Sequence, residues 1–334
     1  MNPRYCLVTP ARDEAQFAQR TLDSVTAQSV PPALWIIVDD GSKDATPQIL
    51  AEYAARFSFL KIIRRGDRGD RKLGGGVIDA FYTGYDTIDL DDFEYMCKLD
   101  LDLDLPPRYF ELLMGRMEAN PRIGTCSGKP YFPSGVHDVR PQFPLTDLSR
   151  FTSEKISDGS SAGMTKFYRI TCFRQIGGFV PELMWDGIDE HRCRQLGWIP
   201  VSWDDPDLRF VHLRPMGTSH KNWWTGRVRH GFGQYFMGTT PVYMLAQAGY
   251  RMTRPPILVG SLAMLWGYAK SMVKRNPRYG DPEFRRFLRR YQWECLLRGR
   301  AKATELLNAQ QASKWNPNNA GSHTVAEASD GVAR

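Results

Sequence analysis

The chain has 334 residues, 42% of them hydrophobic, and a net charge of +7. That length and composition suit one large domain or two small ones with a full core, and exclude a wholly disordered chain. Six scattered cysteines with no CxxC pair exclude a disulfide framework and a zinc site, and point to reduced, intracellular thiols.

The chain runs from Met1-Asn2-Pro3-Arg4 directly into a strand-like segment, residues 5–9, with no long apolar leader. Further strand-like runs lie at 34–38, 60–63 and 95–99, with the β-branched content of buried strands. Between them, helical patterns span 14–28, with Phe17, Leu22 and Val25 on one face, then 46–57 and about 77–87. Asp13 and Asp44 are the expected N-caps of the first two. This alternation predicts an α/β fold around a mainly parallel sheet with right-handed crossovers and flanking helices.

A proline-initiated helix is expected over 106–119. Residues 125–150 read as loops and short strands, and 157–163 as a flexible loop. A helix is expected over 188–196, and strands at 198–203 and 208–212. Beyond Pro215 the pattern is helical, aromatic and basic. The apolar run 257–269 is thirteen residues long, short of the roughly 20 that span a bilayer, and reads as a buried or interfacial helix. From 313 the composition predicts disorder.

Three acidic clusters fall where strands should end: Asp39-Asp40-Gly41-Ser42, Asp100-Leu101-Asp102, and Trp185-Asp186-Gly187-Ile188-Asp189-Glu190. Ligands of open α/β sheets bind beyond the carboxyl ends of strands. Acids converging there can meet a nucleobase or ribose, hold a divalent cation, and act as a base.

The order of these motifs closely resembles family 2 glycosyltransferases. The resemblance rests on Thr9-Pro10-Ala11-Arg12-Asp13-Glu14, the segment 20–28 (Arg-Thr-Leu-Asp-Ser-Val-Thr-Ala-Gln) and Val38-Asp39-Asp40-Gly41-Ser42-Lys43-Asp44-Ala45-Thr46. It continues in the DxD-like Asp100-Leu101-Asp102 and in Gly177-Gly178-Phe179 with Asp186, Arg192 and Gly197-Trp198, and covers residues 4–213. It implies a GT-A type, Rossmann-like fold and inverting transfer from a nucleotide-sugar, commonly UDP-linked, to a hydroxyl of a glycan or lipid-linked acceptor in envelope or extracellular polysaccharide synthesis. Thr9, Pro10 and Glu14 would line the nucleoside pocket, Asp39 would meet the base, and Asp40 would stand beside it. Asp102 would bind Mn²⁺ or Mg²⁺, with Asp100 near the ribose or the metal's water shell, and His212 as a further metal ligand. The family usually has Glu-Asp where this chain has Trp185-Asp186, so Asp186, Asp189 and Glu190 are all candidates for the base. Trp185 is a candidate sugar-stacking residue. Arg64, Arg65, Arg68, Arg71 and Lys72 could meet phosphate or form a solvated loop.

These readings give a catalytic domain over 1–213, with a nucleotide half to about 104 and an acceptor half after it. A basic helical region over 214–312 and a disordered tail over 313–334 would follow. Between 208 and 300 there are 17 Lys and Arg against Asp281, Glu283 and Glu294. With aromatics interleaved among Arg227, Arg229, Arg251 and Arg254, this suggests attachment to the inner face of the cell membrane, or else a helical subdomain at a homodimer interface. No nucleic acid is expected as a partner. A nucleotidyltransferase is the competing enzyme class, but it typically has a glycine-rich basic loop after the first strand, where this chain has Pro10-Ala11-Arg12-Asp13-Glu14. A purely binding module would leave the acidic strand ends unexplained.

Overall fold

The computed structural model describes residues 4–67, 75–134, 140–214, 223–252 and 258–318. Arg68, Arg71, Lys72, Arg254 and residues 319–334 lie outside them. Contacts divide the chain into two compact units, Met1–Arg174 with Ile199–Met216, and Gln175–Trp198 with Gly217–Arg334. The sequence reading placed everything up to 213 in one domain; in the structure, 175–198 group with the C-terminal helices.

The first unit opens with β1 (Tyr5–Ala11), α1 (Ala15–Thr26), β2 (Leu34–Asp39), α2 (Thr46–Arg56), β3 (Leu60–Arg64) and α3 (Gly75–Tyr85). It continues with β4 (Tyr95–Leu99), β5 (Leu103–Asp104), α4 (Tyr109–Ala119), β6 (Ile123–Gly128), β7 (Pro130–Pro133), β8 (Phe151–Ser153), β9 (Thr165–Arg169) and the short α5 (Ile170–Gln175). After α6 (Trp185–Gln195) of the second unit come β10 (Ile199–Trp203) and β11 (Phe210–His212). The second unit also holds α7 (Trp223–Met237), α8 (Pro241–Arg251), α9 (Val259–Val273), α10 (Pro282–Arg298) and α11 (Arg300–Gln310). Among the described residues, no helix is long and apolar enough to cross a membrane.

The main sheet has seven strands in the order β10-β6-β9-β4-β1-β2-β3. It is the expected mixed, mainly parallel sheet: β9 alone runs antiparallel, against both β4 and β6. A second sheet, β5-β11-β7-β8, stands apart from it. The core on one face of the main sheet takes alternate residues of β1, Tyr5, Leu7 and Ala11, with Trp35 and Ile37 of β2 and Phe110 and Leu113 of α4.

The caps differ from expectation. Asp13 does not cap α1: its backbone is left-handed, with φ 54°, and its carboxylate accepts from Lys43 N–H. Asp44 accepts from Ala15 N–H at 3.0 Å and from Thr46 N–H at 2.9 Å, so one carboxylate serves the first turn of both helices. Within the 157–163 segment, expected as a flexible loop, Asp158 is exposed but Ser160, Ser161 and Ala162 are buried, and Ala162 N–H donates to Ser127. The expected disorder from 313 does not hold for the residues described, since Gln311–Lys314 form a 3-10 turn and Trp315 packs edge-on against Trp198.

Candidate active site

The chain passes from β1 outward to β2 and β3, then adds β4 on the other side of β1. That reversal leaves a crevice beyond the carboxyl ends of β1 and β4, where ligands of such sheets bind.

At the first acidic cluster, Asp39 is buried at the end of β2. Its Oδ1 accepts from Ser42 N–H at 2.9 Å, closing a turn through Gly41, whose φ is 77°. A Cβ on Gly41 would stand 2.8 Å from Asp67 Cα, so glycine is required there twice over. Asp39 Oδ2 is buried without a hydrogen-bond partner, the exposed Arg64 being no nearer than 3.6 Å. Asp40 has Arg65 3.4 Å from its carboxylate, and its carbonyl accepts from Arg12. Arg12 and Lys43 both reach Asp67, at 3.0 and 2.8 Å, tying the loops after β1, β2 and β3 together.

Thr9 belongs to the core instead of the expected pocket. It is fully buried on the Leu7 and Ala11 side of β1, and its hydroxyl accepts from the Trp35 indole at 2.9 Å. Pro10 is half-buried on the opposite side of the strand. Glu14 is buried, its backbone N–H donates to Thr46, and its carboxylate is paired with Arg214.

At the second cluster, Leu101, Leu103 and Leu105 enter the main core, and the acids between them meet cations. Asp100 pairs with Lys98, which is buried in β4 and also donates to Gly163 O at 3.2 Å. Burial raises the Asp100 carboxyl, with the Lys98 ammonium pulling it down and the Asp102 charge pushing it further up. Asp102 has Arg214 Nε 3.3 Å and His212 Nε2 3.7 Å from its Oδ2. Asp104 pairs with Arg20 at 2.7 Å.

The β5–β11 pairing sets His212 opposite Leu103, and hence beside Asp102. The other imidazole nitrogen, Nδ1, lies 2.8 Å from Glu154. Burial works to lower the imidazole, but the Asp102 and Glu154 carboxylates outweigh it and hold the pKa up at about 10. A histidine oriented by a carboxylate on one nitrogen and offering the other is a common metal-site arrangement. Asp102 Oδ1 is buried without a hydrogen-bond partner, and the 3.7 Å between His212 Nε2 and the other carboxylate oxygen, Asp102 Oδ2, suits two ligands of one cation at about 2.1 Å each. These two residues fit a divalent cation. Among the described residues, no group of three His, Cys, Asp or Glu could hold an ion, so diphosphate oxygens or water would have to complete the shell.

Arg214 and Glu154 escaped the sequence reading. Arg214 was findable from the spacing: in chain extending from β11, His212 and Arg214 share one side while Val211 and Leu213 enter a core cluster. Glu154 carried no sequence signal, because only the β7–β8 pairing delivers it.

The third cluster lies in the second unit. Asp186 is exposed in the first turn of α6, whereas Asp189 and Glu190 are buried. Asp189 accepts from Glu190 N–H, and Glu190 lies 3.8 Å from Arg194. Trp185 packs edge-on against Phe179, with centroids 4.7 Å apart.

The chain matches the family described as Glycosyl transferase family 2 over residues 6–176. A poly-beta-1,6-N-acetyl-D-glucosamine synthase of Staphylococcus epidermidis is 28% identical over 119 residues, which are 35% of this chain and 26% of that protein. Glycosyltransferase AglE of Haloferax volcanii is 29% identical over 92 residues, 25% of this chain and 30% of that protein. The chain thus spans less than a third of the length of either relative. Among solved structures, GalNAc-T7 with UDP, GalNAc and Mn²⁺ aligns with a TM-score of 0.51 at 13% identity, over 83% of this chain and 55% of that one. The likeness establishes the GT-A fold. Since the family match takes in more than half of the chain, and most of the unit that carries the Asp39 and Asp102 clusters, this protein belongs to glycosyl transferase family 2.

Proposed function

We propose that the protein transfers a sugar, with inversion, from a UDP-linked donor to a hydroxyl of a glycan or lipid-linked acceptor in cell-envelope or extracellular polysaccharide synthesis. One observation carries the reading. Asp39 Oδ2 and Asp102 Oδ1, at the ends of neighbouring parts of one sheet edge, are both buried without hydrogen-bond partners. Buried carboxylate oxygens are costly unless a ligand supplies donors or a cation. Asp39 Oδ2 would accept from the imide N–H of a uracil, a reading supported by the UDP bound to GalNAc-T7, which shares the fold. Asp102 and His212 would hold Mn²⁺ or Mg²⁺, which when bound supplies positive charge against the departing diphosphate. Arg214 joins Glu14 to Asp102 and adds a fixed cation at the same place. Asp186 is the accessible carboxylate of its cluster, and takes the proton of the acceptor hydroxyl.

The test is a thermal-shift panel of UDP, GDP, dTDP and CDP with and without Mn²⁺. Ligand at a hundred times its Kd stabilises the folded state by about 2.7 kcal/mol. A metal-dependent shift with UDP, lost in Asp102→Asn, is the expected result. No shift with any nucleotide would return both acids to a structural role.

A further inference from the structure

Among the described residues, every exposed large hydrophobic side chain lies between Trp224 and Leu297, in the second unit. Most of them fall on α8 and α9. Along α8, Val242, Leu245, Ala246, Gly249 and Tyr250 are exposed, at the i, i+3, i+4, i+7, i+8 spacing of one helix face. The opposite face, Met244 and Ala248, buries against Tyr235 of α7 and Met264 and Tyr268 of α9. On α9, Leu262 is 55% and Trp266 58% exposed, in line with Val259 and Val273. Each helix therefore has an apolar core face and a second apolar face turned outward, which a solvated helix does not need.

Of the two stretches that the sequence marks as candidates for a membrane interface, the apolar run 257–269 falls largely on α9, and the other is the aromatic stretch 231–236, flanked by Arg227, Arg229, Arg251 and Arg254. That segment packs inward: Tyr235 and Phe236 are buried, and a Cβ on Gly231 would stand 1.9 Å from Met264 O of α9. The apolar faces that remain exposed are those of α8 and α9. No Asp or Glu occurs between Asp207 and Asp281, so α7, α8 and α9 carry no acid. Lys270, Lys274 and Arg275 are exposed at the C-terminal end of α9.

We propose that the outer faces of α8 and α9 seat on an anionic lipid surface, their apolar stripes entering the acyl boundary while the cations of α9 meet the headgroups. Charge selects this occupant. A second copy would bring two acid-free, cationic faces together, and nucleic acid would meet aliphatic side chains that offer neither stacking nor hydrogen bonds. At 1.5 Å per residue, α9 is about 22 Å long, shorter than the roughly 30 Å hydrocarbon core, so it lies in the interface.

The full chain would be sedimented with phosphatidylcholine vesicles, with and without phosphatidylglycerol, across a range of salt. Binding is expected with phosphatidylglycerol, weakened by salt and by about fivefold for each cation removed in Lys270→Gln and Lys274→Gln. Leu262→Glu with Trp266→Glu should abolish it while leaving the thermal midpoint and the nucleotide-induced shift unchanged, because both side chains are exposed. Equal sedimentation with both vesicle types, or binding by the double variant, overturns the proposal. A lipid-free dimer that the double variant dissociates also overturns it, by assigning the face to a second copy.

Discussion

His212 Nε2 stands 3.7 Å from Asp102 Oδ2, and Glu154 holds the far nitrogen of the same ring at 2.8 Å. Glu154→Gln keeps the shape but removes the charge that orients the imidazole. Metal affinity should fall roughly 10- to 100-fold, with metal-free nucleotide binding unaltered. Titrating Mn²⁺ against the UDP-induced thermal shift measures this, and an unchanged midpoint would remove Glu154 from the metal's surroundings.

Asp39 divides its carboxylate between two tasks: Oδ1 closes the Ser42 turn and Oδ2 is left over. In Asp39→Asn, an amide N–H₂ at the second position would face the imide N–H of uracil, donor against donor. An unpaired buried donor costs about 1–3 kcal/mol, so UDP should bind about 5- to 150-fold more weakly. Isothermal titration of both forms with UDP decides it. Equal affinity would mean the base lies elsewhere.

Three carboxylates compete for the role of base, and exposure separates them. Asp186→Asn should lower kcat by roughly 10²- to 10⁴-fold with donor binding and thermal midpoint intact. Asp189→Asn and Glu190→Gln remove charges that are buried in α6, and should lower the midpoint. Should Asp186→Asn retain full activity while a buried variant loses it without destabilisation, the assignment passes to that residue.

Asp44 serves two helices, so Asp44→Ala should cost about 1 kcal/mol or more at neutral pH. Slight burial works to raise its pKa, but the hydrogen bonds from Thr46 and Ala15 prevail and lower it. With the folded-state pKa below the ordinary value of 3.8, the stabilisation is full above that pH and is lost as the pH falls through the folded value. The difference between parent and variant in urea denaturation should therefore shrink as the solution is acidified. A gap that is constant down to complete protonation would mean that the carboxylate's charge plays no part.

Gly231 on α7 and Gly267 on α9 let the two backbones touch: a Cβ on the first would stand 1.9 Å from Met264 O, and on the second 2.0 Å from Val228 O. Gly231→Ala should destabilise by roughly 1–3 kcal/mol through forced separation of the helices. Chemical denaturation reads the loss, and a neutral result would show that the helices can part freely.

The order of strands and helices through β4 was legible because the alternating pattern and the abrupt acidic ends are local signals. The acidic ends that single out Asp39 and Asp102 are local in the same way, whereas His212 is singled out by the family resemblance. What the sequence hid depends on pairing between distant segments. Thr9 looked like a pocket residue until the Trp35 indole claimed its hydroxyl, and Asp13 looked like a cap until Asp44 took the place. Glu154 reaches the site only through the small second sheet, and α8 shows its outward apolar face only once Met244 and Ala248 are known to point inward.

The antiparallel course of β9 bears on more than the sheet's hydrogen bonds. A reversed strand begins where its neighbours end, so the chain before it must travel to the ligand edge first. That journey brings Gly163 O to Lys98 and Met164 O to the backbone N–H of Asp100. A serine- and glycine-rich stretch that reads as a mere connector thus stands as a wall beside the acids that follow β4.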